Sequence, residues 1–334
     1  MRPTVLLAMV PHFTSELFAA EHFDQLAAVA DILDREPLTV FGDDRAAALL
    51  PRAEILLTGW GCPPIDAAVL QAAPRLRAIV HAAGTVKLHV TDACWRRGLQ
   101  VSSAAAANAV PVAEYTLAAI LFANKRVFRL QRRYQELREF RLWPLEAPGL
   151  GNYRKVIGLV GASQVGRRVL ALLRPFDFEV LLYDPYVGAD EATALGARAV
   201  ELDELLAAAD VVSLHAPALP STQHLLDRRR LALMRDGAVL INTARGALVD
   251  GDALTAEVVS GRLDAVIDTT DPEILPADSP LYDLPNVFLT PHIAGALGRE
   301  TERLGAHAVA EIERFARGEP FRYPVRREEL ERLA

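Results

Sequence analysis

Residues 156–166, Val-Ile-Gly-Leu-Val-Gly161-Ala-Ser163-Gln-Val-Gly166, read as an apolar strand, a tight turn and the opening of a helix. That combination suits a pyrophosphate. Gly161 permits the turn, Gly166 lets helix and strand pack closely, and the helix N-terminus would offer its unpaired N–H groups to an anion. Ser163 stands where the dinucleotide fingerprint has its second glycine. A hydroxymethyl group is small enough for the backbone to approach phosphate, but on these residues alone a purely structural glycine turn stays open. The next strand, Val180–Tyr183, ends in Asp184-Pro185, near the spacing of about 20 residues at which a carboxylate receives a ribose 2′-hydroxyl. A negative charge there favours NAD over NADP by repelling a 2′-phosphate. An aspartate that caps the turn at Pro185 is the alternative.

The elements that must hold these residues alternate regularly. In the first hundred residues, apolar runs at Thr4–Val10, Ile55–Thr58, Ala78–Val80 and Leu99–Val101 are separated by helix-like stretches at Ala20–Leu33, Asp66–Ala73 and Thr91–Arg97. Strands alternating with helices imply a parallel sheet. The Ala-rich segment from Ala104 to about Leu137 reads as one long helix crossing a domain boundary. A second alternation runs from Lys155 to Leu289 and predicts a second, longer doubly wound sheet. The segment from Leu297 to about Arg317 is helical in period and is expected to return to the first domain. The expected fold is therefore α/β, with two doubly wound parallel-sheet domains and a cleft between them. The boundaries fall at 1–103 plus 300–334 for a substrate domain and 104–299 for a nucleotide domain.

Composition narrows the function. The 334 residues are 51% hydrophobic and 24% charged, with a formal net charge of −7, so there is no basic footprint for nucleic acid or anionic lipid. Cys62 and Cys94 are the only cysteines and lack metal-ligand spacing, so no thiolate metal site is expected and a reducing, cytoplasmic setting fits. Thr4–Val10 stops at Pro11 and is too short to span a membrane; it reads as a buried strand.

Four further segments complete a pattern: Val211-Val-Ser-Leu-His215-Ala216-Pro217, Leu240-Ile-Asn-Thr243-Ala244-Arg245-Gly246, Asp268-Thr-Thr-Asp-Pro-Glu273, and Thr290-Pro-His292-Ile-Ala-Gly295. With the glycine turn, and with Val80-His-Ala-Ala-Gly84-Thr85, Ala107-Asn108 and Val112-Ala-Glu114 in the first half, their order and spacing resemble the D-2-hydroxyacid dehydrogenase family across nearly the whole chain. The resemblance implies a flavodoxin-like substrate domain, a Rossmann domain binding NAD, with NADH preferred to NADPH, and a homodimer formed through the long helices. Reducing a 2-keto acid needs a cation on the carboxylate and a proton donor for the carbonyl oxygen. By resemblance Arg245 supplies the cation through its planar fork of donors, His292 the proton, and Glu273 fixes the imidazole. The cofactor contacts carried over are Gly161, Ser163, Gln164, Val165, Asp184, Pro185, His215, Ala216, Pro217, Thr222, Thr243, Ala244, His292 and Gly295, with Asp268 on the nicotinamide carboxamide. Formate dehydrogenases share the architecture but usually carry Gln at the position of Glu273, which tilts the choice toward hydroxy and keto acids.

On the substrate side the resemblance assigns backbone near Gly84 and Thr85, with Asn108 at the domain junction. The loop departs from the family pattern after Gly84, where Thr85-Val-Lys87-Leu-His89 stands. Lys87, one of only three lysines, is a candidate reader of a second anionic group on the substrate; a solvated loop charge is the equal alternative. His12 and Phe13 follow the first strand and could shape the substrate pocket, His81 could either pack at its strand end or line the cleft, and Arg141 and Trp143 could act from a partner subunit, with core packing an equal reading of Trp143. An NAD-responsive corepressor with the same fold is the competing reading. Which acid is used, and in which direction, is not written in these motifs.

Overall fold

A computed structural model describes residues 2–139 and 149–330. The chain divides into two units, Met1–Asn108 with Ala296–Leu333, and Ala109–Gly295. The crossing points lie a few residues inside the expected 103/104 and 299/300 boundaries. A side chain explains this: the Asn108 Oδ1 accepts the Ala296 N–H at 3.0 Å, tying the outgoing and returning chain together within the first unit.

The first unit holds β1 (Thr4–Ala8), β2 (Asp31–Ile32), β3 (Ile55–Thr58), β4 (Ala78–His81) and β5 (Gln100–Ser103), all parallel, in the order β2-β1-β3-β4-β5. This is the flavodoxin-like order. Val5 and Leu7 face one core layer and Leu6 and Ala8 the other, so both faces of the sheet are covered and β1 is apolar at nearly every position. The returning helix Thr301–Ala316 packs in the first of these layers through Leu304, Ala308 and Ile312.

The second unit contains β6 (Val156–Val160), β7 (Glu179–Tyr183), β8 (Arg198–Ala199), β9 (Val211–Leu214), β10 (Val239–Asn242), β11 (Asp264–Ile267) and β12 (Val287–Leu289). They pair in parallel in the order β12-β11-β10-β9-β6-β7-β8, a Rossmann order with one extra strand. The chain direction of winding reverses between β6 and β9. Helices Arg228–Leu233 and Gly251–Val259 open on Asp227 and Asp250, whose carboxylates accept backbone N–H groups of the first turn.

The single helix expected from Ala104 to Leu137 is two, Ala105–Asn124 and Val127–Leu137. Arg126 breaks it by adopting φ 50°, and its Nη2 donates to the Gly237 carbonyl at 3.2 Å. Arg129, on the next turn, pairs with buried Asp264 at 2.9 Å. Ala105–Asn124 is long and apolar enough to cross a membrane, but its Ala113, Ala119, Ile120 and Ala123 belong to the core of the second unit, which accounts for the apolarity.

Candidate active site

The glycine turn lies at the reversal point of the second sheet, where open α/β sheets bind ligands. A Cβ on Gly161, which has φ 102°, would fall 2.6 Å from the Ala216 nitrogen and 2.8 Å from the His215 carbonyl carbon. A Cβ on Gly166 would collide with the Gly161 carbonyl oxygen. The two glycines therefore let three backbone segments meet. Ser163 caps the helix Gln164–Leu173, its Oγ accepting the Gly166 N–H at 3.3 Å. The N–H groups of Gln164 and Val165 have no acceptor within the helix, as expected of a first turn. Asp184 accepts the Ala162 N–H at 2.7 Å and the Tyr186 N–H at 2.8 Å, so its carboxylate is held against the turn. A bare turn, a helix N-terminus and a carboxylate beside them fit a dinucleotide's pyrophosphate and ribose.

The three polar groups of the expected machinery come together in this unit. His292 Nδ1 and Glu273 Oε1 are 2.5 Å apart, with the two side chains 45% and 59% exposed, so the pair is open to solvent. Glu273 also acts electrostatically on Arg245, opposing a burial that pushes the guanidinium below its usual value; an arginine stays charged throughout. The backbone brings them there. Gly246 has no room for a Cβ against the Thr270 and Asp271 backbone, so the Arg245 loop lies directly on the loop that carries Glu273. Asn242 holds the Arg245 turn at both ends, donating to the Arg245 carbonyl at 2.9 Å and accepting the Ala244 N–H at 3.1 Å. His292 has φ 55°, an uncommon conformation for a residue with a Cβ. Asp268 keeps it there: its carbonyl accepts the His292 N–H at 2.9 Å, Oδ1 the Ile293 N–H at 2.8 Å, and Oδ2 the Ala294 N–H at 2.9 Å. Oδ2 retains capacity for one more donor, as a carboxamide would supply. A recess of about 580 Å³ adjoins Glu273 and His292 and is walled by Phe128, Gln131, Tyr282 and Phe288.

The other expected contacts are placed unevenly. Pro185 is exposed, and Ala216 closes against Gly161. His215 is 3% exposed with Nε2 3.0 Å from the Ser213 Oγ, and burial drives its pKa down to about 3. Its imidazole is part of the core, so at that position the backbone is what a ligand would meet. Thr222 closes the Pro217 loop by donating to the Pro217 carbonyl at 2.6 Å. The Thr243 hydroxyl, 3.1 Å from that of Thr116, is buried, with Ala244 and Gly295 half-buried beside their loops.

In the first unit, Gly84 follows β4, and a Cβ there would be 3.8 Å from Asn108 Nδ2. Thr85 Oγ1 accepts the Lys87 N–H at 3.4 Å, and the Lys87 side chain is exposed. His81 belongs to a buried cluster, its Nδ1 2.9 Å and the His89 Nε2 3.3 Å from the Thr58 hydroxyl. It is packed as core. Phe13 packs against Trp60 with ring centroids 5.1 Å apart in a tilted arrangement, and His12 pairs with Glu16 at 2.8 Å. Arg141 and Trp143 lie outside the described residues. Sequence reasoning missed the supports: Asn242 under Arg245, and Thr290 and Tyr115 behind His292. Thr290 stood inside a quoted motif, and nothing local marked Tyr115.

Residues 117–294 match the family described as D-isomer specific 2-hydroxyacid dehydrogenase, NAD binding domain. D-3-phosphoglycerate dehydrogenase of Mycobacterium leprae is 34% identical over 283 residues, covering 83% of this chain and 52% of that protein. The chain thus spans about half the length of the D-3-phosphoglycerate dehydrogenase it matches. (S)-Sulfolactate dehydrogenase of Chromohalobacter salexigens is 34% identical over 308 residues, covering 90% of this chain and 98% of that protein. The crystal structure of a phosphoglycerate oxidoreductase from Rhizobium etli superposes with a TM-score of 0.81 at 26% identity, over 98% of this chain and 99% of that one. None of these is a corepressor, and the binding-module reading gains no support from them.

Proposed function

This chain belongs to the D-isomer specific 2-hydroxyacid dehydrogenase family, and from that premise we propose that it transfers a hydride between NAD(H) and a small 2-keto or 2-hydroxy acid. One observation carries the reading: the His292–Glu273 pair, with Arg245 within its electrostatic reach, stands in the same unit as the glycine turn. Bound NADH would supply the hydride. The chain's own residues do the rest. Arg245 takes the substrate carboxylate in a bidentate pair and draws electron density from the adjacent carbonyl. His292 donates a proton to the oxygen that becomes the hydroxyl, and takes it back in the oxidative direction. Glu273, accepting from Nδ1, leaves Nε2 to face the substrate oxygen. Gln164 and Val165 offer N–H groups to the phosphates, Asp184 takes the adenine ribose and makes NADH the preferred coenzyme, and Asp268 orients the carboxamide.

For the first unit we propose that backbone at Gly84 and Thr85, with Asn108, binds substrate and that Lys87 reads a second anionic group. The sulfonate- and phosphate-bearing acids in the relatives' names support a dianion. Exposed Phe122 and Tyr134 on the helices Ala105–Asn124 and Val127–Leu137 support a homodimer, and the relatives' metabolic roles support a cytoplasmic location. The test is NADH oxidation with glyoxylate, hydroxypyruvate, 3-phosphohydroxypyruvate and 3-sulfopyruvate. Turnover of at least one is expected, and Lys87→Ala should cost the dianions about tenfold more in kcat/KM than the monoanions. No turnover of any would overturn the activity; equal losses would remove Lys87 from substrate recognition.

A further inference from the structure

The segment that carries His292 is braced from behind by two hydroxyls that no assigned role uses. Tyr115 Oη lies 2.8 Å from Thr290 Oγ1, and Thr290 Oγ1 lies 2.6 Å from Asp268 Oδ1. The directions follow from the proton count. An ionised carboxylate only accepts, so Thr290 spends its one hydroxyl proton on Asp268 and must accept from Tyr115. Burial raises the Tyr115 pKa, so the phenol keeps the proton it donates. Asp268, 2% exposed, then passes the constraint on: its backbone carbonyl and two carboxylate oxygens fix the N–H groups of His292, Ile293 and Ala294 in succession.

We infer that Tyr115 and Thr290 are positioning residues for the proton donor, acting through Asp268 to hold His292 in its left-handed conformation with the ring on Glu273. The inference rests on the reading of His292 as proton donor. A residue with a Cβ at φ 55° lies above its ordinary conformations in energy and stays there only where its surroundings over-determine it. Relaxing Asp268 lets the backbone leave that region and carries the imidazole away from the line of proton transfer. The next residue of the same helix, Thr116, meets Thr243 at 3.1 Å, two positions before Arg245. One turn of the helix Ala105–Asn124 thus bears on both catalytic loops.

The experiment uses the full chain, NADH and the fastest of the four keto acids named above. Thr290→Val, which cuts the chain in the middle, should lower kcat about 10- to 100-fold, and Tyr115→Phe about 3- to 10-fold, with the KM for NADH within about threefold. Both should enlarge the D2O effect on kcat, because proton transfer becomes slower relative to the other steps. Thr290→Ser should regain most of what Thr290→Val loses, and Tyr115→Phe should cost nothing further in the Thr290→Val background. A Tyr115→Phe enzyme with wild-type kcat overturns the inference. So does a double mutant whose losses multiply, or a kcat that falls only with the folded fraction while the D2O effect stays put. His292→Asn separates the two levels: if it remains fully active, the proton-donor reading itself fails, whereas an inactive His292→Asn beside an unaffected Tyr115→Phe removes only the brace.

Discussion

Between β6 and β9, at the reversal point of the second sheet, the chain is stripped to backbone: Gly161 leaves no space for a side chain against Ala216, and Gly166 none against Gly161. Between β1 and β3, at the reversal point of the first, it is filled. Phe13 and Trp60 pack with ring centroids 5.1 Å apart and planes tilted by 57°, and the Val10 N–H bonds the Trp60 carbonyl at 3.0 Å. Glycines occur there too, but the Cβ space of Gly59 is occupied by Met9 and that of Gly61 by Val10, so they serve packing. Two sheets wound by the same rule therefore offer opposite surfaces. Bare N–H groups can solvate a pyrophosphate; an aromatic pair presents mainly apolar ring faces, with one indole N–H as its side-chain donor. In the first unit the glycine backbone left open to a ligand lies one strand over, at half-buried Gly84 after β4.

The contrast breaks most decisively through catalysis. His292→Asn and Arg245→Ala should each lower kcat/KM by about 10³-fold or more, the scale expected for losing a general acid or a charge on the reacting group, while NADH still binds within a few-fold. Steady-state kinetics beside fluorescence titration of NADH would measure both. Trp60→Ala, at the other reversal point, should leave the NADH Kd within about twofold. A large loss of NADH affinity in Trp60→Ala would erase the division of labour between the two sheets.

Histidines sharpen the comparison at the level of stability. His292 is solvent-exposed and paired with a carboxylate, whereas His81 and His215 at strand ends and His89 in the turn after β4 are buried rings. Burial drives His89 down to about 4 and His215 to about 3, and takes His81 well below its ordinary value, with His89 adding to the effect. A depressed histidine favours the folded state fully above the unfolded value near 6.5 and loses that contribution as pH falls from there toward the folded value. At pH 5 the loss is about 2 kcal/mol each for His89 and His215. Urea midpoints should therefore fall steeply between pH 6.5 and 4.5. In a His215→Gln variant the fall should be shallower; an unchanged slope would mean that His215 is not neutral in the core.

What was legible in the sequence is what depends on neighbours along the chain. The glycine turn and the strand runs follow from spacing, β3 lies over the residues that predict it, and the ordered motifs carried the resemblance that picked out Arg245, Glu273 and His292. What was hidden depends on partners far away. Arg126 breaks the long helix because of a carbonyl 111 residues distant, and Tyr115 reaches Thr290 across 175. His215 carried a family motif, yet whether its ring faced ligand or core was decided by Ser213 and the packing around it. Ser163 looked like a substitute for glycine, and its hydroxyl turned out to cap the helix. The two-residue strands β2 and β8 are edges with too few apolar positions to show a period.

The smallest effect concerns coenzyme choice and depends on separating charge from geometry at Asp184. Its carboxylate holds the Ala162 and Tyr186 N–H groups, so Asp184→Ala would loosen the turn and blur the result. Asp184→Asn keeps one side-chain oxygen as an acceptor for the Ala162 N–H and removes the negative charge. If the charge excludes a 2′-phosphate, the ratio of kcat/KM for NADH to that for NADPH should fall about 3- to 10-fold in Asp184→Asn, chiefly through a better KM for NADPH. If the ratio is unchanged, selectivity comes from the shape of the Gly161 turn, and the bare backbone that distinguishes this sheet from the other would be selecting the ribose as well as binding the phosphates.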